Sequence, residues 1–211
     1  MRIKTCQSLA DIMQIRQFLL ESNAKLPRLY NWEPRRWEGK IFHRSNVEML
    51  ETRASIAKEV ALLFDENNSL RAVVIPEYDG GAFLQCNPGD REAQEILIDW
   101  SIENLSQTKD QINWLEIWCD DNDVVRANLL RDKGFSPTSE HQNRRHQILG
   151  KPKDVISIPD KYTIRNVNND EEDAIRMAKL LNESFGRTFH TLRNIEISQL
   201  LHQATRLNWK L

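Results

Sequence analysis

A short β-type run, Arg2–Cys6, opens the chain. Apolar positions Leu9, Ile12, Met13, Ile15, Phe18 and Leu19 follow, at a three-and-four spacing that puts them on one side of a helix. Ser8 stands where its hydroxyl caps that helix. Val47–Ala57 is compatible with either a helix or a loop. The period then shortens: Val60–Asp65 and Leu70–Ile75 are β-type runs joined by Glu66-Asn67-Asn68-Ser69, which predicts an antiparallel hairpin whose second strand stops at Pro76. Asp79-Gly80-Gly81 turns the chain into a third run, Ala82–Cys86. From Asp90, Ala93, Ile96, Leu97, Trp100 and Leu105 return to helical spacing, and Trp114–Trp118 reads as a strand, so a β-α-β crossover is expected. A helix from Asp123 to Lys133 closes on Gly134, suited to a left-handed cap, ahead of Phe135 and a polar hairpin ending at Leu149.

A linker is expected over residues 151–161, with Lys161–Arg165 overlapping its end as a new strand. Asp170-Glu171-Glu172-Asp173 then favours the start of a helix carrying Ile175, Met177, Ala178, Leu180 and Leu181. Residues 162–185 therefore repeat the strand-helix opening of residues 2–20. The expected class is α/β (α+β), a mixed and mostly antiparallel sheet flanked by helices over residues 1–150, plus a partial second repeat over 162–211.

Composition narrows the function. Apolar residues make up 40% of the 211 positions and charged residues 28%, ordinary globular usage that excludes a disordered chain. Basic and acidic side chains number 29 and 31 and are interspersed, so no basic field points to nucleic acid. Cys6, Cys86 and Cys119 are odd in number and lack CxxC spacing, which argues against a disulfide framework or zinc site and fits a reducing cytoplasm. No apolar run approaches the ~20 residues a membrane span needs, and the N-terminal pattern is amphipathic rather than that of a signal peptide.

Three local features carry a family resemblance. Asn87-Pro88-Gly89-Asp90-Arg91 is similar to the Pro-x-x-Arg lead into a coenzyme-A loop, and Leu129-Leu130-Arg131-Asp132-Lys133-Gly134-Phe135 looks like a helix ending in Gly-Phe. The restart near Tyr162 resembles the beginning of a second tandem domain. With the element order, these features resemble the GNAT superfamily of acetyl-CoA-dependent N-acyltransferases, of tandem type. The resemblance implies transfer of an acetyl group from acetyl-CoA to an amine, on a small molecule or a peptide. It also implies a splayed pair of parallel strands whose backbone meets the pantetheine arm, and a helix N-terminus that binds the pyrophosphate. Leu84, Gln85, Cys86 and Arg91 are then the cofactor contacts, Glu77 the base, and Tyr30, Trp32, Arg35 and Arg36 the substrate wall.

The sequence departs from the family at three places. The small residues of the coenzyme-A loop are replaced by Gln94 and Ile96, and Asp90, Glu92 and Glu95 bring negative charge to an anion site. Leu130 stands where many members carry a proton-donating tyrosine. The second repeat reaches residue 211 before a coenzyme-A loop. A competing reading follows: a catalytically degenerate domain that binds a small molecule or a protein. An open cleft between the crossover strands favours the enzyme, and a gap filled by side chains favours the binding module.

Several features have plainer alternatives. Trp32 and Trp37 are ordinary core material, and Glu77 beside a Gly-Gly turn is ordinary surface. Cys119-Asp120-Asp121-Asn122-Asp123 lacks the glycine and glutamate of a calcium loop and reads better as a helix cap. His141 and His146 flank Asn143-Arg144-Arg145 as a solvated hairpin rather than a ligand pair, and no metal is expected. The amphipathic arm over 170–211 has an apolar face to bury against the first domain or another chain, so a homodimer is an open expectation.

Overall fold

The computed structural model describes residues 1–25, 32–42, 54–76, 78–140, 158–168, 170–188, 190–192 and 195. The first unit runs β1 (Arg2–Thr5), α1 (Leu9–Lys25), α2 (Pro34–Phe42), β2 (Ala61–Phe64), β3 (Leu70–Pro76), β4 (Gly81–Cys86) and α3 (Arg91–Leu105). It continues through β5 (Gln107–Lys109), β6 (Ile112–Trp114), β7 (Glu116–Ile117) and α4 (Val124–Asp132). Residues 54–59 are also helical. The five-stranded sheet has the order β1-β2-β3-β4-β7. Its first three pairings are antiparallel and the last, β4 with β7, is parallel. The mixed, mostly antiparallel α/β class expected from the pattern is therefore the observed one.

Strand alternation builds two cores. Leu62, Phe64, Val73 and Ile75 face Ile12, Ile15 and Leu19 of α1 and Trp37 and Ile41 of α2. Ala61, Leu63, Ala72, Val74, Ala82, Leu84 and Cys86 face Ala93, Leu97 and Ile98 of α3 and Leu129 and Leu130 of α4. The central strands are thus buried on both faces, and their near-continuous apolar runs follow from that. Two polar ties hold the α1–α2 layer. Arg16 Nε donates to Glu38 Oε1 at 2.7 Å with both side chains buried, and the Trp37 indole donates to the Ile12 carbonyl at 3.1 Å.

Two details differ from the sequence pattern. The run read as one strand, Trp114–Trp118, is divided between β6 and β7 because β6 pairs with β5 in a separate two-stranded hairpin. Asp110 and Gln111 make its turn with φ of 52° and 64°, and Gln111 is not a residue that advertises such a turn. The strand expected over Lys161–Arg165 is not formed, because no neighbouring strand pairs with it among the described residues. Residues 141–149 of the expected hairpin, and 47–53 of the helix-or-loop segment, lie outside the described residues.

The start of α1 shows how the sequence fixes the helix entry. Ser8 Oγ accepts from the Asp11 amide at 3.1 Å, while the Asp11 carboxylate accepts from the Gln7 and Ser8 amides and from Lys4 Nζ at 2.6 Å. One carboxylate thereby caps α1 and ties it to β1. The same device recurs at α5 (Glu171–Phe185). There Asp170 accepts from the Asp173 amide, and Asp173 accepts from the Asn168 amide and from Arg165. The two helix starts thus share a bonding scheme, although the strand of the first segment has no counterpart in the second. Helix α5 ends on Gly186 at φ 60°, and Ala174, Ala178 and Ile195 form its own small cluster.

Burial alone raises the pKa of Asp11, but the bonds from Lys4, the Gln7 amide and the Ser8 side chain outweigh it and leave the carboxyl below its ordinary 3.8. A depressed folded pKa stabilises above the unfolded value, and that stability is lost as pH falls through the folded one. Asp11→Asn is expected to reduce stability at neutral pH. It should also flatten the acid-side loss of stability between about pH 5 and pH 2, measured by urea denaturation across that range.

Candidate functional site: the fork between β4 and β7

Strands β4 and β7 are in register for only two residues, Gly81 with Glu116 and Ala82 with Ile117. One more bond, from the Trp118 amide to the Ala82 carbonyl at 3.3 Å, closes the fork. Beyond it, β4 continues through Phe83–Cys86 without β7 beside it. Leu84 and Cys86 point to the α3–α4 side and Phe83 to the α1–α2 side, so the fork has two faces with different chemistry.

The α3–α4 face is filled by Arg126. From α4 its guanidinium reaches into the fork, donating from Nε to Gln94 Oε1 at 3.0 Å, from Nη1 to the Trp118 carbonyl at 3.2 Å and from Nη2 to Cys86 Sγ at 3.5 Å. Asp123 Oδ2 lies 3.5 Å from the Arg126 Nε, and Asp123 Oδ1 caps α4 by accepting from the Arg126 amide at 3.0 Å. Arg126 is 3% exposed and Gln94 is fully buried. A buried guanidinium is tolerable only with partners around it, and here they are a carboxylate, an amide, a carbonyl and a thiol. Burial raises the Cys86 thiol although the nearby guanidinium lowers it, so the sulfur stays protonated.

The neighbouring helix N-terminus is also occupied from within. Asp90 Oδ1 accepts from the Ala93 amide at 3.1 Å, the Gln94 amide is bound to the Asp90 carbonyl, and the Arg91 amide is bound to the Gly89 carbonyl. Arg71 Nη2 donates to Asp90 Oδ2 at 2.7 Å. Gln94 Nε2 donates to the Pro88 carbonyl at 2.6 Å, so this side chain bridges the loop before α3 to Arg126. A helix start capped by its own carboxylate has little left to offer an external anion.

The α1–α2 face is an aromatic row. Glu116 and Trp118 alternate with Ile117 and Cys119, which pack with Leu115 into the α3–α4 core. The Trp118 ring stacks on Phe83 at 5.6 Å between centroids, and Phe83 stacks on Trp32 at 5.9 Å. The Arg36 guanidinium lies over Phe83 and Trp32 at 5.5 and 5.7 Å. At the closed end of the fork, the Tyr78 hydroxyl donates to Glu116 Oε2 at 2.5 Å. Burial and then this bond raise the tyrosine pKa. The turn beneath them requires its glycines. Gly80 has φ 74°, and a Cβ there would meet Trp114 at 2.6 Å; a Cβ on Gly81 would meet the Tyr78 ring at 2.4 Å.

Of the residues singled out by sequence, Leu84 and Cys86 lie on the core side of the fork, and Gln85 on the other, where its Oε1 accepts from the Trp32 amide at 2.7 Å. Arg91 is exposed at the first turn of α3. Trp32 is buried under Arg36, while Arg35 is exposed on α2. Tyr30 and Glu77 lie outside the described residues, as do His141 and His146. Asp123 does cap α4. Leu130 packs in the core between α4 and the sheet. Sequence reasoning missed Arg126, Glu116, Trp114 and Trp118 as site residues. Their only signals were the Asp123-x-x-Arg126 spacing and the Trp-x-Glu-x-Trp alternation, both of which also suit a plain helix start and a plain strand.

No family model, curated protein or solved structure matches this chain.

Replacing Arg126 by leucine would leave the buried Asp123 carboxylate without its cation, so Arg126→Leu is expected to lower stability by about 3–5 kcal/mol in urea denaturation. The double variant with Asp123→Asn should recover part of that loss, because the two groups act as a pair.

Proposed function

We propose that the first unit is a GNAT-type acyltransferase-like domain that works as a binding module, with the coenzyme side of its fork given over to structure. The element order, the parallel crossover and the fork after Ala82 support the family reading. One observation carries the functional one: Arg126, with Gln94, Cys86 and Asp123, occupies the wedge between β4 and β7 where a pantetheine arm would run. A cofactor would have to displace a buried ion pair as well as enter, and removing one partner of such a pair costs several kcal/mol. The self-capped start of α3 removes the usual seat for a pyrophosphate. Leu130 supplies no proton for a departing thiolate.

The second reading, transfer of acetyl from acetyl-CoA to an amine, is favoured by one feature: the backbone of Phe83–Cys86 lacks a β7 neighbour and would be free to meet pantetheine amides. In that reading Leu84, Gln85, Cys86 and Arg91 meet the cofactor, Glu77 is the base and Tyr30, Trp32, Arg35 and Arg36 form the substrate wall. Calorimetric titration with acetyl-CoA separates the two. The binding module gives no saturable heat at millimolar cofactor. Saturable binding that disappears in Arg91→Glu would establish a working cofactor site and overturn the proposal.

A further inference from the structure

We propose that residues 161–167 pair as an antiparallel strand with the same segment of a second copy of this chain. Three observations lead there. Lys161–Arg165 alternates polar and apolar side chains as a strand does, yet no strand pairs with it among the described residues. The Tyr162 amide is bound to the Pro159 carbonyl and the Asn168 amide to the Asp173 carboxylate, but the amides of Thr163 to Val167 between them have no partner among the described residues. Tyr162, Ile164 and Val167 are 60%, 80% and 53% exposed, so the run is apolar as well as open. Unpaired amides on an uncovered apolar strand are a template for a second strand.

Symmetry and charge together choose the occupant and the register. Two copies of one strand pair antiparallel about a two-fold axis perpendicular to the sheet, because residues opposite each other must point to the same face. The axis therefore passes through a residue that faces itself. Centring on Thr163 sets Lys161 against Arg165, and centring on Arg165 sets that side chain against its own copy; both are like-charge pairs. Centring on Tyr162 or Asn166 leaves part of the run outside the pairing. Centring on Ile164 sets Lys161 against Val167, Tyr162 against Asn166 and Thr163 against Arg165, with no like pair and every unpartnered amide inside. Arg165 is bound through two nitrogens to Asp173 of its own α5, which neutralises it and fixes the inner face of the run. Strand alternation then gives Tyr162 and Ile164 to the opposite face, where two copies gather two of each. A pairing this short is smaller than a standard interface, so the dimer is weak and forms at about 10–100 µM chain.

Sedimentation equilibrium of the whole chain from about 5 to 500 µM provides the test. The unaltered chain is expected to pass from monomer to dimer across that range. Because Ile164 faces itself, one substitution sets two like charges opposite each other: Ile164→Asp and Ile164→Lys should each weaken the dimer about tenfold. An equimolar mixture of the two variants should recover it, since the opposed charges are then of opposite sign. The position is exposed, so neither change disturbs a core. A chain that stays monomeric throughout, even if it binds some other protein, overturns the proposal. So does a dimer that both substitutions leave intact, which places the contact elsewhere. A dimer weakened by each substitution but not recovered on mixing overturns it too, because Ile164 then does not face its own copy.

Discussion

The structure turns on one buried guanidinium. Arg126 sits where two parallel strands part company, and its contacts reach four separate pieces of chain: Gln94 on α3, Cys86 at the end of β4, the Trp118 carbonyl after β7, and Asp123 at the start of its own helix. Parallel strands that diverge leave backbone and side-chain polar groups inside the wedge with nothing to pair with, and unpaired buried polar groups are costly. A ligand can satisfy them, or a side chain can. Arginine suits the second solution because its planar fork offers five donors in fixed directions. Once it is in place, Gln94 and Asp123 each have a buried partner that accounts for their own burial.

The other face of the fork follows from the same divergence. Because β7 leaves β4 after Ala82, Phe83 has room for Trp118 against one side and Trp32 against the other, and the row of rings covers the gap. Its acidic end is fixed by the Tyr78–Glu116 bond over a turn that only glycines allow. One fork therefore presents a closed, charged interior towards α3 and α4, and a partly open aromatic face towards α2.

How far the sequence alone reaches depends on whether the deciding contacts are local. The three meander strands, the crossover, the caps at Ser8 and Asp123, and the stop at Gly134 are set by neighbours within a few residues, and their patterns predicted them. The β5–β6 hairpin was illegible because Asp110-Gln111 is not a favoured turn pair and the run from Trp114 to Trp118 reads as continuous. At the fork, Gln94, Ile96 and Leu130 were visible as departures from the family the sequence resembles. What fills the wedge was not, because Arg126 meets Gln94 across 32 positions and Cys86 across 40. The aromatic row was half-visible: Trp32 and Arg36 stood out by composition, while Glu116 was hidden inside a strand that looked like core. Of the repeat expected over residues 162–185, the helix start is formed, with Arg165 paired to Asp173, and the strand is not.

The claim that the fork is closed by its own side chain is tested most directly by a crystal structure of the chain grown with coenzyme A in excess. Arg126 bonded to Gln94 and Cys86, with no pantetheine density between β4 and β7, is the result this account predicts. Pantetheine lying along Phe83–Cys86 with Arg126 swung out of the wedge would contradict it.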